Sequence, residues 1–252
     1  AVQSVSAAEE SAENSQEEAS AGPRVRRTMT LREIVFEKLE EAQQAADAGN
    51  FDEALQTLER LEKRKRNSYE RAMTHNMYAY VYSTQENYAA AIPEYAKVIE
   101  IDNAPDSLKQ TTRYTLAKLY MLQERYAESL ATINEWMSQS DKVNADAYMF
   151  RAQVQYQQEK YELAGDDIAT AISMREEAGS RVTESWLLLQ RAVMFQLKDY
   201  EGLAVTLEKL VATYSKSEYW MQLAAVYNEL GREDEELATL ETAYDQKLFT
   251  KE

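Results

Sequence analysis

Residues 219–240 read YWMQLAAVYNELGREDEELATL. Trp220, Leu223, Ala224 and Tyr227 recur at spacings of three and four, which places their side chains on one face of a helix. Leu230-Gly231 closes that helix. A second helical segment opens at Glu233 and carries Glu236 and Leu240 at the same spacing. The acidic run Glu233-Asp234-Glu235-Glu236 falls in its first turn, where the helix dipole favours negative charge.

The same two-helix pattern is found upstream. Its second helix begins with an aromatic residue, then places a small or apolar residue three later and an apolar residue four after that. Phe51-Ala54-Leu58, Tyr88-Ala91-Tyr95, Tyr126-Ser129-Ile133, Tyr161-Ala164-Ile168 and Tyr200-Leu203-Leu207 all show it. Their first residues lie 37, 38, 35 and 39 apart, and Glu233 follows Tyr200 by 33. The preceding helix shows its own pattern in Tyr78-Ala79-Tyr82 and Leu116-Ala117-Tyr120. Ala79, Ala117, Ala152 and Ala224 are the small residues that let two helices approach closely; a leucine there drives them apart. A period in the thirties of paired helices is the mark of a solenoid.

These motifs resemble the tetratricopeptide repeat (TPR), and the resemblance covers about residues 32–246. The expected fold is all-α: a TPR right-handed superhelical solenoid of about six helix-turn-helix repeats, with twelve helices stacked as antiparallel pairs and first helices lining the concave face. The solenoid is assigned to residues 28–252. Some positions depart from the pattern. Lys38 and Glu41 occupy usually apolar places in repeat 1, which points to a capping repeat. Arg191 occupies the small position of repeat 5, and the register of repeats 1 and 5 is open by one residue. Pro93 is placed to kink its helix. Leu248 and Phe249 are expected to leave an apolar open end that another chain or further sequence covers.

Residues 1–27 differ in kind. AVQSVSAAEESAENSQEEASAGP has almost no large apolar residue, so residues 1–27 are read as a disordered acidic tail, closed by the basic Arg24, Arg26 and Arg27. The chain begins with Ala1 and not Met, which suggests a removed signal peptide and a periplasmic location, although a trimmed chain begins the same way. The lack of cysteine fits periplasm and cytoplasm alike.

Six Gly and three Pro in 252 residues argue for long helices with short connections. A net charge of −16 argues against nucleic acid and anionic lipid as partners. With no cysteine, disulfides and thiol chemistry are excluded. No apolar run approaches the roughly 18 residues of a membrane helix, so no direct membrane insertion is expected. Nucleotide-binding, zinc-protease and hydrolase motifs are missing. His75, the single histidine, sits in a first-helix slot usually held by a core aromatic and is assigned a structural role. Asp166-Asp167 is a chance pair in an acidic chain. The basic run Lys63-Arg64-Lys65-Arg66 reads as charge at a helix C-terminus, with a docking patch for an acidic partner as the competing reading. No catalytic residue, metal site or cofactor is expected, and the chain is read as a non-enzymatic scaffold.

The fifth, ninth and twelfth places of each TPR first helix face the groove. Here they are held by Asn76, Tyr80, Tyr114, Lys118, Met149, Gln153, Tyr156, Leu188, Phe195, Met221 and Asn228. Tyr and Met offer large adaptable contacts, and Asn and Gln pair with peptide backbone, so a protein or peptide is the expected partner; the competing reading packs some of these side chains against neighbouring repeats. TPR proteins that grip the carboxylate tail of chaperones use several basic groove residues; Lys118 alone is basic here, which argues against that function.

Three stretches carry a narrower resemblance: Asn67-Ser68-Tyr69-Glu70-Arg71-Ala72, Glu184-Ser185-Trp186-Leu187-Leu188-Leu189-Gln190-Arg191, and Tyr219-Trp220-Met221-Gln222-Leu223-Ala224. They resemble exported TPR proteins associated with the TonB-ExbB-ExbD systems of Gram-negative bacteria. That resemblance implies a periplasmic adaptor of TonB-dependent uptake, with TonB- or ExbB-type proteins as partners. The alternative is a TPR adaptor in envelope or secretion-complex assembly.

Overall fold

The computed structural model describes residues 30–248. The tail assigned to residues 1–27, and Phe249, lie outside them. The described residues form twelve helices and no strand: α1 Glu33–Asp47, α2 Phe51–Glu62, α3 Ser68–Thr84, α4 Tyr88–Glu100, α5 Asp106–Leu122, α6 Tyr126–Ser138, α7 Ala145–Gln157, α8 Tyr161–Glu177, α9 Glu184–Leu197, α10 Tyr200–Tyr214, α11 Ser217–Glu229 and α12 Glu233–Asp245. Odd-numbered helices are the first of each pair and even-numbered helices the second. Each pair packs on itself, and each second helix packs on the first helix of the next pair. The result is an all-α solenoid.

One turn, used six times, sets the register. Gly49, Glu86, Glu124, Glu159, Lys198 and Gly231 hold φ between 56° and 79°, each within the turn that joins the two helices of a pair. In the first, Gly49 N–H donates to the Ala46 carbonyl at 2.9 Å and Asn50 N–H to the Ala45 carbonyl at 2.8 Å; the other five turns repeat both bonds. This left-handed closure satisfies carbonyls that the helix end leaves free. Counting back seven residues from each turn lands on Ala42, Ala79, Ala117, Ala152, Arg191 and Ala224. The five alanines are all but fully buried at the helix–helix contact. The register of repeats 1 and 5 is therefore settled: Ala42 is the small residue of the first, and Arg191 replaces it in the fifth.

The core is unevenly divided. A single apolar cluster runs through repeats 4 to 6, from Met149 to Tyr227. Repeats 1 and 2 share a second cluster, built on Val35, Leu39, Leu58 and Val81. Between them the packing is thinner, and α6 fully buries only Ser129 and Ile133. Ser129 substitutes for alanine by donating its hydroxyl to the Ala117 carbonyl at 2.7 Å. Pro93 lies inside α4, which continues past it to Glu100.

The two ends differ. In α1, Lys38 pairs with Glu41, which also accepts from the Thr57 hydroxyl at 3.2 Å, while Ile34 and Phe36 of the same helix are exposed. Just ahead of α1, Arg32 grips the fully buried Glu70 with Nε–Oε1 at 2.7 Å and Nη2–Oε2 at 2.8 Å. The backbone N–H groups of Arg32 and Asn67 also donate to Glu70, and Asn67 completes a capping box for α3. The basic run begins at the residue that follows α2, and Arg66 donates to the Glu62 carbonyl at 3.2 Å. At the other end Leu237 and Tyr244 are exposed. Their counterparts Gly165 and Ile172 on α8, and Ala204 and Val211 on α10, are buried. The apolar open surface is therefore on α12, while Leu248 is half-buried.

Candidate binding face and cleft

The first helices present one face made of side chains that no second helix covers. The eleven groove positions do not all lie on it. Met149 is 2 % exposed and belongs to the core of repeats 4 to 6, so it offers nothing to a partner. This corrects its assignment: the chain packs methionine inward where a wider groove position was expected. Leu188 is half-buried against the same core. Tyr80 is half-buried and donates its hydroxyl to Asp47, and that bond raises its pKa, with burial adding to it. Tyr114 leans on Trp136 and Phe150, with ring centroids at 4.8 and 5.9 Å, and Lys118 lies 4.4 Å above its ring. Burial, then the charge of Asp146, pushes the Tyr114 phenol up. Asn76 and Gln153 are half-buried. Asn228 is exposed but turns to Glu236, donating at 2.9 Å.

Phe195 and Met221 are the residues that stand out, 62 % and 51 % exposed. Leu122, at the C-terminal end of α5, is 58 % exposed. These large apolar side chains, held in water on three of the six first helices, α5, α9 and α11, form the kind of surface a partner covers. Two groove positions, Tyr156 and Phe195, also line a cleft of about 550 Å³ between α9, α10 and α11. Its floor is Leu203 and Leu207 of α10, and its sides include Ala225 and Val226 of α11. Tyr156 is held edge-on against Tyr161, centroids 5.5 Å apart.

Four polar residues of the cleft escaped the groove positions: Arg191, Gln196, Gln222 and Glu229. Arg191 had a visible signal, its departure from the small-residue position. An arginine cannot fit the space that Ala152 or Ala224 fills, and the cleft lies at this repeat. Arg191 Nη1 donates to Gln222 Oε1 at 2.8 Å. Elsewhere the charges of this acidic chain are tied up or turned outward. Asp167 holds Arg151 through two bonds of 2.6 Å, so it forms no carboxylate pair with the exposed Asp166. His75 Nδ1 lies 2.7 Å from Glu94 Oε2. Burial pushes the Glu94 carboxyl up, but hydrogen bonds from His75 and Lys97 outweigh it and leave the pKa below its ordinary value. Among the described residues no group of three or more His, Asp or Glu side chains could hold a metal ion. Nor is any helix there long and apolar enough to cross a membrane.

The family model described as tetratricopeptide repeat matches residues 39–107 and 114–179, together more than half of the chain. The chain is a tetratricopeptide-repeat protein. The matched regions span repeats 1 to 4, and repeats 5 and 6 carry the same turn at the same register. No curated protein matches the sequence. Solved structures share the TPR fold at low identity. A TPR protein from Parabacteroides merdae ATCC 43184 is 16 % identical, with a TM-score of 0.59 over 84 % of this chain and 79 % of its own. MamA is 17 % identical, with a TM-score of 0.57 over 71 % of this chain and 92 % of its own. YrrB, described as a TPR protein with an unusual peptide-binding site, is 16 % identical, with a TM-score of 0.54 over 69 % and 85 %. TPR proteins are protein–protein interaction scaffolds that bind peptides or proteins, generally without catalysis.

Proposed function

We infer that this TPR protein holds a partner protein or peptide against its first-helix face, with the cleft of repeats 5 and 6 at the centre of contact. One observation carries this reading: in a chain of net charge −16, Leu122, Phe195 and Met221 stand exposed along first helices. Apolar anchors with few competing charges suit a desolvated contact. The YrrB structure, described by its peptide-binding site, offers a precedent for the fold but not for these residues.

The finer assignment is a periplasmic adaptor of TonB-dependent uptake. Its support is the resemblance of residues 67–72, 184–191 and 219–224 to exported TPR proteins of TonB-ExbB-ExbD systems. A photo-crosslinking residue placed at Phe195, in cells carrying the protein with a leader for export, tests both levels. Capture of TonB- or ExbB-type proteins from envelope fractions is the expected result. Capture of secretion or assembly factors alone overturns the TonB assignment and keeps the scaffold. Capture that is unchanged by Phe195→Glu with Met221→Glu in a protein crosslinked elsewhere overturns the first-helix face. These two residues are better probes than Tyr114, whose ring packs on Trp136 and Phe150 and supports the fold itself.

A further inference from the structure

We propose that the cleft at Arg191 recognises a short peptide motif in which a bulky apolar side chain lies within two residues of a single aspartate or glutamate. The proposal rests on the first-helix face being the docking surface and adds the chemistry of what docks there.

Arg191 occupies the position that five other repeats give to alanine. A half-buried guanidinium is costly unless its donors are used. It carries five N–H donors, and Gln222 accepts from one nitrogen, with no carboxylate within ion-pair distance among the described residues. Of five other half-buried arginines, Arg113, Arg151, Arg175 and Arg232 each hold a carboxylate of this chain, while Arg66 donates to the Glu62 carbonyl and, unlike Arg191, does not line the cleft. An amide partner leaves Arg191 oriented by Gln222 but not neutralised. Planar guanidinium groups pair best with carboxylates, through two parallel bonds.

The space beside it is apolar. Leu203 and Leu207 form the floor, and Phe195 and Tyr156 stand at the side. At about 550 Å³ the cleft falls in the range that encloses small ligands and side chains. A bulky apolar residue therefore enters over the leucines while a neighbouring carboxylate meets Arg191. Glu229 also lines the cleft and is exposed. It repels a second acid, as does the net charge of −16, so the motif has one carboxylate and not an acidic run. Arg191 is a helix-contact position and not one of the inward-facing groove places, so this subsite does not depend on a cluster of basic groove residues.

The test is selection of a random peptide library displayed on phage against the full chain, followed by fluorescence anisotropy with the enriched peptides. Enrichment of Leu, Phe, Trp or Met beside a lone Asp or Glu is expected. Arg191→Met keeps the stem and removes the charge; it weakens those peptides by about tenfold to a hundredfold. Changing the peptide's Glu to Gln causes the same loss on the unmodified protein, and no further loss on Arg191→Met. The peptide change also decides the matter if Arg191→Met fails to fold. Enriched peptides without an acid, or bound equally by Arg191→Met yet lost with Phe195→Glu, overturn the role of Arg191 and leave the first-helix face standing. Peptides that survive Phe195→Glu, or no enrichment at all, overturn both.

Discussion

Glu124 and Glu159 adopt a left-handed backbone that costs a residue with a β-carbon about 1–2 kcal/mol. Glycine removes that cost but loses more entropy on folding. Glu124→Gly or Glu159→Gly therefore raises stability by about 0.5–1 kcal/mol, seen as a higher urea midpoint with an unchanged slope. The mirror experiment is Gly49→Ala. A β-carbon there meets nothing within 4 Å, so its cost, about 1 kcal/mol, is conformational and not steric. Glu70 makes a second residue-level prediction. Hydrogen bonds from the Arg32 side chain, against the opposing effect of burial, lower its pKa from 4.5 to about 2. A carboxylate whose folded pKa is depressed stabilises the fold above the unfolded value and loses that contribution as pH falls towards the folded one. The melting temperature should accordingly drop between about pH 4.5 and pH 2, and Glu70→Gln should flatten this part of the profile while lowering stability at neutral pH. Arg32→Ala, which leaves Glu70 to its backbone donors, lowers the urea midpoint at neutral pH.

At the level of helices, the small position decides how closely a pair can pack. Ala152→Leu forces α7 from its buried contact and costs about 1–3 kcal/mol. Arg191→Ala at the equivalent place changes stability by less than about 1 kcal/mol, because the structure there already accommodates a large side chain beside a cleft. Calorimetry of the two variants separates the cases. The contrast also shows how far residue patterns reach. All twelve helices follow from aromatic and alanine spacing, because that spacing reports a face, and a face is what a pair of helices buries. The turn register does not show as plainly, since glycine marks it only at Gly49 and Gly231 while Glu86, Glu124, Glu159 and Lys198 take the same φ. Groove positions were harder still. Phe195 and Met221 are exposed and Met149 turns inward, because solvent exposure depends on neighbouring repeats that a local pattern does not contain. Arg191 was visible as an exception; that its exception coincides with a cleft required the packing of three helices.

Across the whole molecule, contacts are between neighbours, so damage stays local. Ile133 is the one large side chain that α6 fully buries. Ile133→Ala should cost about 2–5 kcal/mol, and hydrogen exchange should quicken across α5 to α7 while α1 and α11 keep their protection. The uneven division of the core then has a mechanical meaning. Repeats 4 to 6 share one apolar cluster and stretch as a single block, whereas α6 ties the preceding pairs to it through a smaller cluster in which Ile133 is its one fully buried large side chain and Tyr126, Leu130, Trp136 and Met137 are only half-buried. Under tension applied through its two ends, the protein is a set of unequal springs in series, and the softest lies near its middle. A force–extension trace should show an early yield at repeat 3, then a separate, stiffer rupture of the block that carries the cleft.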